Sequence, residues 1–382
     1  PRKEGSDGEY FDEWDDGNVF FLEWDGEAGP RGGTEDVRPA SFPGAVAVDA
    51  LPARLRLERD LEYHRGDLEY QDMENSERVP GETWMWKYLL KKDSLAIPFT
   101  LAQPRGGEAS LEFRVKGASR DPSRVRVSIN GGVVFDDTLA SYDTLRLRVP
   151  VDGALLRDGE NALVFRNVGI KECPPEDPVC SIERIYVDWA DLRYLRSSVP
   201  IEEELLVDGG IGVGPELPAR ALLSLPQQAV ATRGINLRSG AILDGVELDA
   251  AGMRLAVDGT ASYLLFTTPR APLSVRRFEY ADLASPARQA DYIIITHPLF
   301  LAQAQRLADY RARTDGFSTV IASVEDIYRE FNHGHKAPSA IRAFMRNAWE
   351  QWREPRPRFA VIIGDASWDA KQRKSNSTRV DY

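Results

Sequence analysis

The chain has 382 residues, 42% hydrophobic and 28% charged, which is the composition of a folded globular protein and excludes a fully disordered or fibrous one. The 48 lysines and arginines against 60 aspartates and glutamates give a net charge of −12, which argues against charge-driven nucleic-acid binding. No apolar run approaches the ~20 residues of a membrane-spanning helix. Only 2 Cys and 4 His are present, and this restricts nucleophilic and zinc chemistry.

Residues 1–50 are interpreted as an acidic leader with a β-hairpin. Residues 1–30 contain ten acidic side chains against Arg2 and Lys3, and a strand-like run at 19–24 precedes an Asp25-Gly26 turn signal. Clustered carboxylates could bind calcium or a basic partner. Because no loop here has the spacing of a calcium-binding loop, a solvated segment is the favoured interpretation.

Residues 51–196 show short apolar or alternating runs separated by turn signals, which predict an antiparallel β-sandwich of the jelly-roll kind. The runs are 53–58, 94–101, 111–115, 125–129, 133–135, 145–149, 162–165 and 185–189, and the turn signals are Asn130-Gly131, Asp152-Gly153 and Asp158-Gly159. Such sandwiches either bind a ligand such as carbohydrate or act as packing units, and the fold does not decide between the two. Residues 197–288 show weaker periodicity and are interpreted as a smaller β domain.

The two cysteines, Cys173 and Cys180, lie in a proline-rich segment, Cys-Pro-Pro-Glu-Asp-Pro-Val-Cys. This spacing favours one loop-closing disulfide, as in a protein outside the reducing cytosol. A structural zinc site would need further ligands and a catalytic thiol would need a base, and neither is visible nearby. The disulfide is therefore the favoured prediction, with the other two left open.

Residues 289–382 change in character and predict a parallel sheet with helices on its faces. Apolar strands at 292–296, 319–322 and 359–363 alternate with helical patterns after 300 and after 339, in the order βαβαβ. In such sheets, ligands and catalytic groups gather beyond the carboxyl ends of the strands.

Three polar positions follow those strand ends: Thr296-His297, Ser323 with Glu325 and Asp326, and the segment 364–369 that begins Gly364-Asp365. Asp365 could orient an imidazole as the third member of a catalytic set, or it could simply be a turn or helix-capping residue. His297 is interpreted as a strand-end capping or packing residue. His333-Gly334-His335 could suggest a metal or base site, but an exposed loop is the favoured interpretation.

The order of these features resembles the gingipain-type cysteine peptidases, which are secreted bacterial enzymes with a caspase-like α/β sheet. The segments that carry the resemblance are Ala290-Asp-Tyr-Ile-Ile-Ile-Thr-His297, Ala308-Asp-Tyr-Arg311, Val324-Glu-Asp-Ile-Tyr328, Ala340-Ile-Arg342 and Val361-Ile-Ile-Gly-Asp365 with Ser367, Trp368 and Asp369. Upstream, Asn18-Val-Phe-Phe-Leu22 and Trp84-Met-Trp86 are similar to the amino-terminal region of larger members.

The resemblance implies a Cys nucleophile and a His base on strands later than the Gly-Asp strand, with Asp365 as the orienter of that His. We therefore expect 289–382 to be the first part (βαβαβ) of a caspase-like catalytic domain, with the chain a piece of a longer precursor that ends before the Cys/His pair. This chain alone is expected to be inactive. The complete protein would act on protein or peptide substrates.

No cofactor is required; calcium suits the acidic composition and the family, but its ligands are unknown. The expected location is secreted or at the bacterial cell surface, without a membrane span or nucleic-acid partner. The alternative function is a non-enzymatic secreted module whose β-sandwich binds glycan or protein and whose peptidase domain is degenerate.

Overall fold

The computed structural model describes residues 33–63, 84–172, 183–197, 204–208, 217–226, 233–249, 252–269 and 271–365, together with 369, 371 and 373. These residues form two compact units, the first ending at Ala271 and the second beginning at Pro272. No helix in the described part is both long and apolar enough to cross a membrane.

The first unit is built from strands. In chain order, its described strands are β1 (Thr34–Asp36), β2 (Val46–Val48), β3 (Ala50–Glu58), β4 (Glu62–Tyr63), β5 (Trp84–Met85), β6 (Lys87–Leu90), β7 (Ser94–Leu101), β8 (Glu108–Gly117), β9 (Ser123–Ile129), β10 (Gly132–Leu139), β11 (Thr144–Asp152), β12 (Gly159–Asn167), β13 (Arg184–Ser197), β14 (Glu204–Asp208), β15 (Arg220–Pro226), β16 (Arg233–Asn236), β17 (Ile242–Asp244), β18 (Glu247–Asp249), β19 (Gly252–Asp258) and β20 (Ser262–Phe266).

Two antiparallel sheets form the first sandwich, as predicted. Their strand orders are β10-β9-β12-β7 and β11-β8-β13-β3, with β6 also paired to β13. Alternate residues of each strand point into one core, in which Phe113 contacts the rings of Phe135 and Phe165 edge-on. The alternation in 53–58 is confirmed, because Ala53, Leu55 and Leu57 pack against this core.

The predicted turn at Asn130-Gly131 joins β9 to β10. Both residues have left-handed backbone angles, φ 50° and 89°, and Ile129 pairs directly with Gly132 across the hairpin. Asn followed by Gly supplies this geometry at low cost because both tolerate positive φ. The turn thus sets the pairing at the start of β10, and a β-bulge between Val133 and Phe135 then shifts the register by one residue.

A second sandwich surrounds another core, in which Leu223, Leu255 and Tyr263 are fully buried. Its sheets have the orders β1-β17-β16-β20-β14 and β18-β19-β15-β2. The short strands β1 and β2, from residues 34–48, pair in parallel with β17 and β15, some 170–210 positions later in the chain. Periodicity along the sequence does not reveal such distant pairing. The boundaries at 50, 196 and 288 remain predictions.

The second unit is an α/β layer structure. Its described elements are β21 (Tyr292–Thr296), α1 (Leu301–Asp315), β22 (Thr319–Ser323), α2 (Val324–Phe331), α3 (Pro338–Gln351) and β23 (Phe359–Ile363). All pairings are parallel and β21 lies between β22 and β23, which confirms the predicted parallel sheet. Each βαβ connection returns the chain to the same end of the sheet.

Strand β21 is buried on both faces because a helical layer covers each. Ile293 and Ile295 face the core formed with α2 and α3, where Phe344 and Trp352 are fully buried. Tyr292 and Ile294 face α1, which contributes Ala304 and Ala308. Helix α1 is capped at its carboxyl end by Gly316, which has the left-handed conformation (φ 70°).

Candidate functional site

The carboxyl ends of the three parallel strands meet at one edge of the sheet. Thr296 of β21 is in register with Ser323 of β22 and with Ile363 of β23. The residues that follow these positions therefore emerge side by side, as expected for an open α/β sheet. This strand-end edge is the candidate functional site of the described residues.

Thr296 ties the centre of this edge to the strand that carries the Gly-Asp pair. Its side chain is fully buried, and its Oγ1 donates a hydrogen bond to the carbonyl oxygen of Ile363 at 3.1 Å. A buried hydroxyl needs such a partner, so the contact holds the end of β23 against β21. The next residue, Gly364, has φ 145°, which disfavours any other residue.

Asp365 follows this turn and is exposed at the strand-end edge. Gly364 lies directly after β23, so Asp365 is carried just beyond the end of the strand. From there it can accept a hydrogen bond from a group placed above the edge. Its orienting role remains a prediction, since a turn residue could occupy the same place.

His297 caps the helical turn after β21 and thereby confirms the capping interpretation. Its Nδ1 accepts a hydrogen bond from the backbone N–H of Leu299 at 3.3 Å, and Pro298 is the first residue of the turn. A ring nitrogen engaged in capping is held in one orientation. His297 thus serves the local fold at the site.

The polar residues after β22 also serve a helix. Ser323 Oγ accepts the N–H of Glu325 at 3.3 Å and caps α2. The Glu325 and Asp326 carboxylates pair with the guanidinium of Arg329, at 2.8 and 2.6 Å. Acidic residues in a first turn and a basic one in the last turn suit the helix dipole. These carboxylates stabilise α2.

The His333-Gly334-His335 segment ends α2, in agreement with the loop interpretation. His333 and Gly334 are both left-handed (φ 52° and 83°), and the Gly334 N–H donates to the carbonyl of Tyr328 at 2.8 Å. Asn332 closes the loop by donating to the carbonyl of His335 at 2.7 Å. His333 is exposed and His335 half-buried.

Within the described ranges, no group of three or more His, Cys, Asp or Glu residues could hold a metal ion. Cys173, Cys180, His64 and residues 1–30 lie outside the described residues. The loop disulfide and the acidic leader remain predictions.

Two buried carboxylates of the second unit were not singled out as structural residues from the sequence. Asp369, 1% exposed, accepts the backbone N–H of Arg373 at 2.8 Å. Asp291 lies at the opposite end of the sheet, where Ser318 and Arg358 donate to it. Hydrogen bonds from the Ser318 backbone and side chain, followed by Arg358, lower the pKa of Asp291. The sequence signal that could have identified Asp291 is its position directly before the buried strand β21.

Residues 285–380, which include the whole strand-end edge, match the model of peptidase family C25. The resemblance to the gingipain-type peptidases is confirmed. The match covers the α/β unit from just before β21 and includes Asp365. The sequence is therefore peptidase-related in its carboxyl-terminal quarter.

Among solved structures, the chain is similar to dimeric latent PorU from Porphyromonas gingivalis, with a TM-score of 0.60 and 14% sequence identity. The alignment covers 90% of this chain and 32% of PorU, so the chain spans about a third of the length of that protein. At this identity the likeness establishes a shared fold, which extends over the β-sandwich region as well as the α/β unit.

Carbohydrate-binding modules also match part of the chain. They include a CBM36 module of a xylanase from the hindgut metagenome of Trinervitermes trinervoides (10% identity, TM-score 0.23, 37% of this chain and 96% of that one). A family 35 module from Clostridium thermocellum matches with 13% identity and a TM-score of 0.19, covering 37% of this chain and 90% of that one. Scores this low carry no inference about a ligand. No curated protein matches the sequence.

Proposed function

We propose that this chain is the amino-terminal portion of a secreted, C25-type cysteine endopeptidase. In this proposal the α/β unit begins the catalytic domain, and a Cys nucleophile and a His base are contributed by further residues of a longer protein. The share of PorU that the chain covers, 32%, supports a longer protein. The substrates are proteins or peptides, as for peptidases in general.

The observation that carries the proposal is the position of Gly364-Asp365. Within the segment that matches family C25, Thr296 holds the end of β23 in place, and the exposed Asp365 follows Gly364 just beyond that strand. Catalytic groups of parallel α/β sheets are carried at this edge. An exposed carboxylate there can accept the N–H of an imidazole placed above it.

Each proposed residue has a defined role in the chemistry. The thiolate attacks the carbonyl carbon of the scissile peptide, and the His accepts the thiol proton and later delivers it to the leaving amine. Asp365 accepts a hydrogen bond from the other imidazole nitrogen and keeps the ring in the productive tautomer. Water then hydrolyses the acyl-enzyme and releases the new carboxyl group. Asp365 is thus a positioning residue, since it acts through the His.

A secreted or cell-surface location is part of the same proposal. It is supported by the predicted Cys173–Cys180 disulfide, because such bridges persist outside the reducing cytosol. Mass spectrometry of the natural protein before and after reduction tests it directly. A bridged Cys173–Cys180 peptide supports the location, whereas free thiols at both positions contradict it.

The decisive experiment uses the gene product that continues beyond residue 382. We expect it to hydrolyse peptide substrates and to lose this activity after treatment with a thiol-alkylating reagent, with the label on one cysteine other than Cys173 and Cys180. Substitution of that cysteine by alanine is the matched control. A full-length protein that is folded but neither labelled nor active would contradict the proposal and leave the binding module as the better interpretation.

A further inference from the structure

Arginines are concentrated on the outer face of one sheet of the first sandwich, the sheet β11-β8-β13-β3. They alternate with the core-facing residues of their strands, and they are Arg54, Arg56, Arg114, Arg146, Arg148 and Arg193. We call this surface the arginine face. The carboxylates that pair with these arginines are Glu58, Glu112, Asp188 and Asp191. Six positive charges against four negative ones leave +2, in a chain whose net charge is −12.

Two carboxylates of the arginine face each lie between two guanidinium groups of one strand. Glu112 accepts hydrogen bonds from Arg146 Nε, at 2.9 Å, and from Arg148 Nη2. Asp191 accepts one from Arg54 Nε, at 2.6 Å, and also pairs with the next outward arginine of β3. Guanidinium and carboxylate groups are both planar and form such hydrogen bonds well. The face therefore repeats one kind of site, a carboxylate between two arginines.

Positive charge is concentrated around Arg193. This residue and Arg54 lie directly opposite each other on β13 and β3, and like charges in this arrangement repel. Burial lowers the pKa of Arg193, and the positive charges of Arg148 and Arg54 lower it further, although Asp191 opposes the shift. Ser110 Oγ, beside Arg193 on β8, and Arg148 Nε are buried and make no hydrogen bond within the described residues. A further carboxylate at this point would offset the repulsion and accept hydrogen bonds.

The spacing of the outward arginines matches the repeat of an extended polypeptide. Arg146 and Arg148 are two residues apart on β11, and Arg54 and Arg56 are two residues apart on β3. Side chains on one face of a strand repeat every ~6.6–6.8 Å, and alternate side chains of any extended chain have the same repeat. Carboxylates at alternate positions of such a segment can therefore face successive arginines. The arginines can be reached from solvent, since the side chains of Arg146 and Arg54 are 44% and 26% exposed.

We propose that the arginine face binds an extended acidic polypeptide segment that carries carboxylates at alternate positions. Charge complementarity and the strand repeat support this occupant, and arginine and tryptophan are enriched at binding hot spots. Trp189 lies within the face, with the guanidinium of Arg56 3.7 Å and that of Arg146 5.5 Å from its ring centre. The face ends where two acidic residues, Glu108 and Asp152, lie opposite each other on β8 and β11. This inference does not depend on the peptidase function proposed above.

A fluorescein-labelled peptide in which Glu alternates with Thr, added to the intact chain, is the probe. We expect saturable binding in fluorescence anisotropy that weakens as salt is added, because the contacts are between charged groups near the surface. The same peptide with Gln in place of Glu should not bind. Dextran sulfate at equal charge should compete poorly, since its sulfate groups do not have the strand repeat. Absence of binding by the Glu-Thr peptide, or equal competition by dextran sulfate, would overturn the proposal.

The test variant is the double substitution Arg146→Gln with Arg193→Gln. Glu112 keeps Arg148 as a partner in this variant, so we expect the circular dichroism spectrum to be unchanged. The Kd of the Glu-Thr peptide should rise by about tenfold or more, because two charge-assisted contacts are lost. An unchanged Kd in this folded variant would contradict the assignment.

The matched control is Arg124→Gln with Arg166→Gln, on the outer face of the other sheet. It removes the same charge from exposed positions, and Asp136 keeps Arg126 as a partner. Its Kd should change by less than about twofold, because charges this far from the ligand are screened. Equal weakening by the two double variants would show an effect of net charge alone and would overturn the proposal.

Chemical footprinting of the unmodified chain gives a measurement that needs no variant. Phenylglyoxal modifies accessible arginines, and mass spectrometry reports the rate at each position. The Glu-Thr peptide should slow modification of Arg146 and Arg148 and leave Arg124 unaffected. Equal rates with and without the peptide, or slowing at all three arginines alike, would contradict binding at the arginine face.

Discussion

Asp291 and Arg358 hold the amino-terminal ends of two parallel strands together. Oδ1 of Asp291 accepts hydrogen bonds from Nε and Nη2 of Arg358, at 3.1 and 2.8 Å, while Oδ2 accepts the Ser318 N–H and hydroxyl, at 3.0 and 2.8 Å. Ser318 directly precedes β22 and Arg358 directly precedes β23. One carboxylate thus joins the starts of β21, β22 and β23.

The Asp291→Asn substitution should destabilise the second unit most near neutral pH. Hydrogen bonds from Ser318 and Arg358 lower the pKa of Asp291 in the folded state below its value of about 3.9 in the unfolded chain. The carboxylate therefore contributes stability above pH ~4, and this contribution is lost as the pH falls through the folded-state pKa. We expect a loss of roughly 1–3 kcal/mol at pH 7 that shrinks in acid.

The measurement is urea unfolding at pH 7 and pH 3, with pulsed hydrogen exchange reporting on the β21 peptide. Asp309→Asn, on the exposed face of α1, is the control and should change the unfolding free energy by less than about 0.5 kcal/mol. An Asp291→Asn effect of the same size at both pH values would contradict the electrostatic account.

The contribution of Asp188 to the free energy of unfolding of the first unit should decrease as the pH rises from about 4 to about 7. Burial raises the pKa of this carboxyl to about 7, although Arg114 Nη1, 2.8 Å away, opposes the shift. The folded state therefore binds the proton more tightly than the unfolded chain does. Its stabilising contribution is complete below the unfolded pKa and is lost as the pH rises through the folded pKa.

In the Asp188→Asn variant, the side chain at position 188 is neutral at every pH. The unfolding free energy of this variant should therefore fall less between pH 5 and pH 8 than that of the parent protein. Urea titrations at the two pH values measure this difference. Asp137→Asn, exposed on β10, should retain the parent's slope. If Asp188→Asn destabilises the chain equally at both pH values, the pair with Arg114 dominates and the expectation is wrong.

Phe113→Ala should be strongly destabilising because the ring is fully buried between two others, with centroids 5.3 Å from Phe135 and 5.8 Å from Phe165. Removing it leaves a cavity, with an expected cost of about 3–5 kcal/mol. Val133→Ala, at a β10 position that is 56% exposed, is the control and should cost less than about 0.5 kcal/mol. Denaturant unfolding checks both, and a loss below ~1 kcal/mol for Phe113→Ala would show that this core repacks.

Asp365→Asn, made in the longer peptidase that we propose, tests the positioning role. We expect kcat to fall roughly 100-fold or more with little change in KM, because the amide no longer fixes the imidazole tautomer. The carboxylate also favours the charged imidazolium, so its loss should move the acidic limb of the kcat/KM profile to lower pH. Asp309→Asn is again the control. A change confined to thermal stability, with kcat and the pH profile unaltered, would assign Asp365 to the turn alone.

Local sequence patterns by themselves predicted many of the strands and turns of this protein. Alternation in 53–58 and 94–101, the Asn130-Gly131 turn and the buried run at 292–296 predicted strands, a hairpin and a parallel sheet that the structure contains. These signals are readable because side-chain direction repeats every two residues in a strand and because few residues accept positive φ. The order of segments around the Gly364-Asp365 pair likewise indicated the peptidase family.

Only the tertiary structure shows the features that depend on residues far apart in the sequence, namely the strand pairing, the strand order and the partners of the acidic side chains. The parallel pairing of β1 and β2 with β17 and β15, and the central position of β21, follow from burial of whole sheet faces rather than from any local run. The acidic residues at the sheet ends look alike in sequence, yet Asp291 joins three strands, Glu325 pairs with Arg329, and Asp365 is exposed at the rim. Their roles differ because the fold gives each carboxylate different donors, and a sequence does not specify which donors will be near.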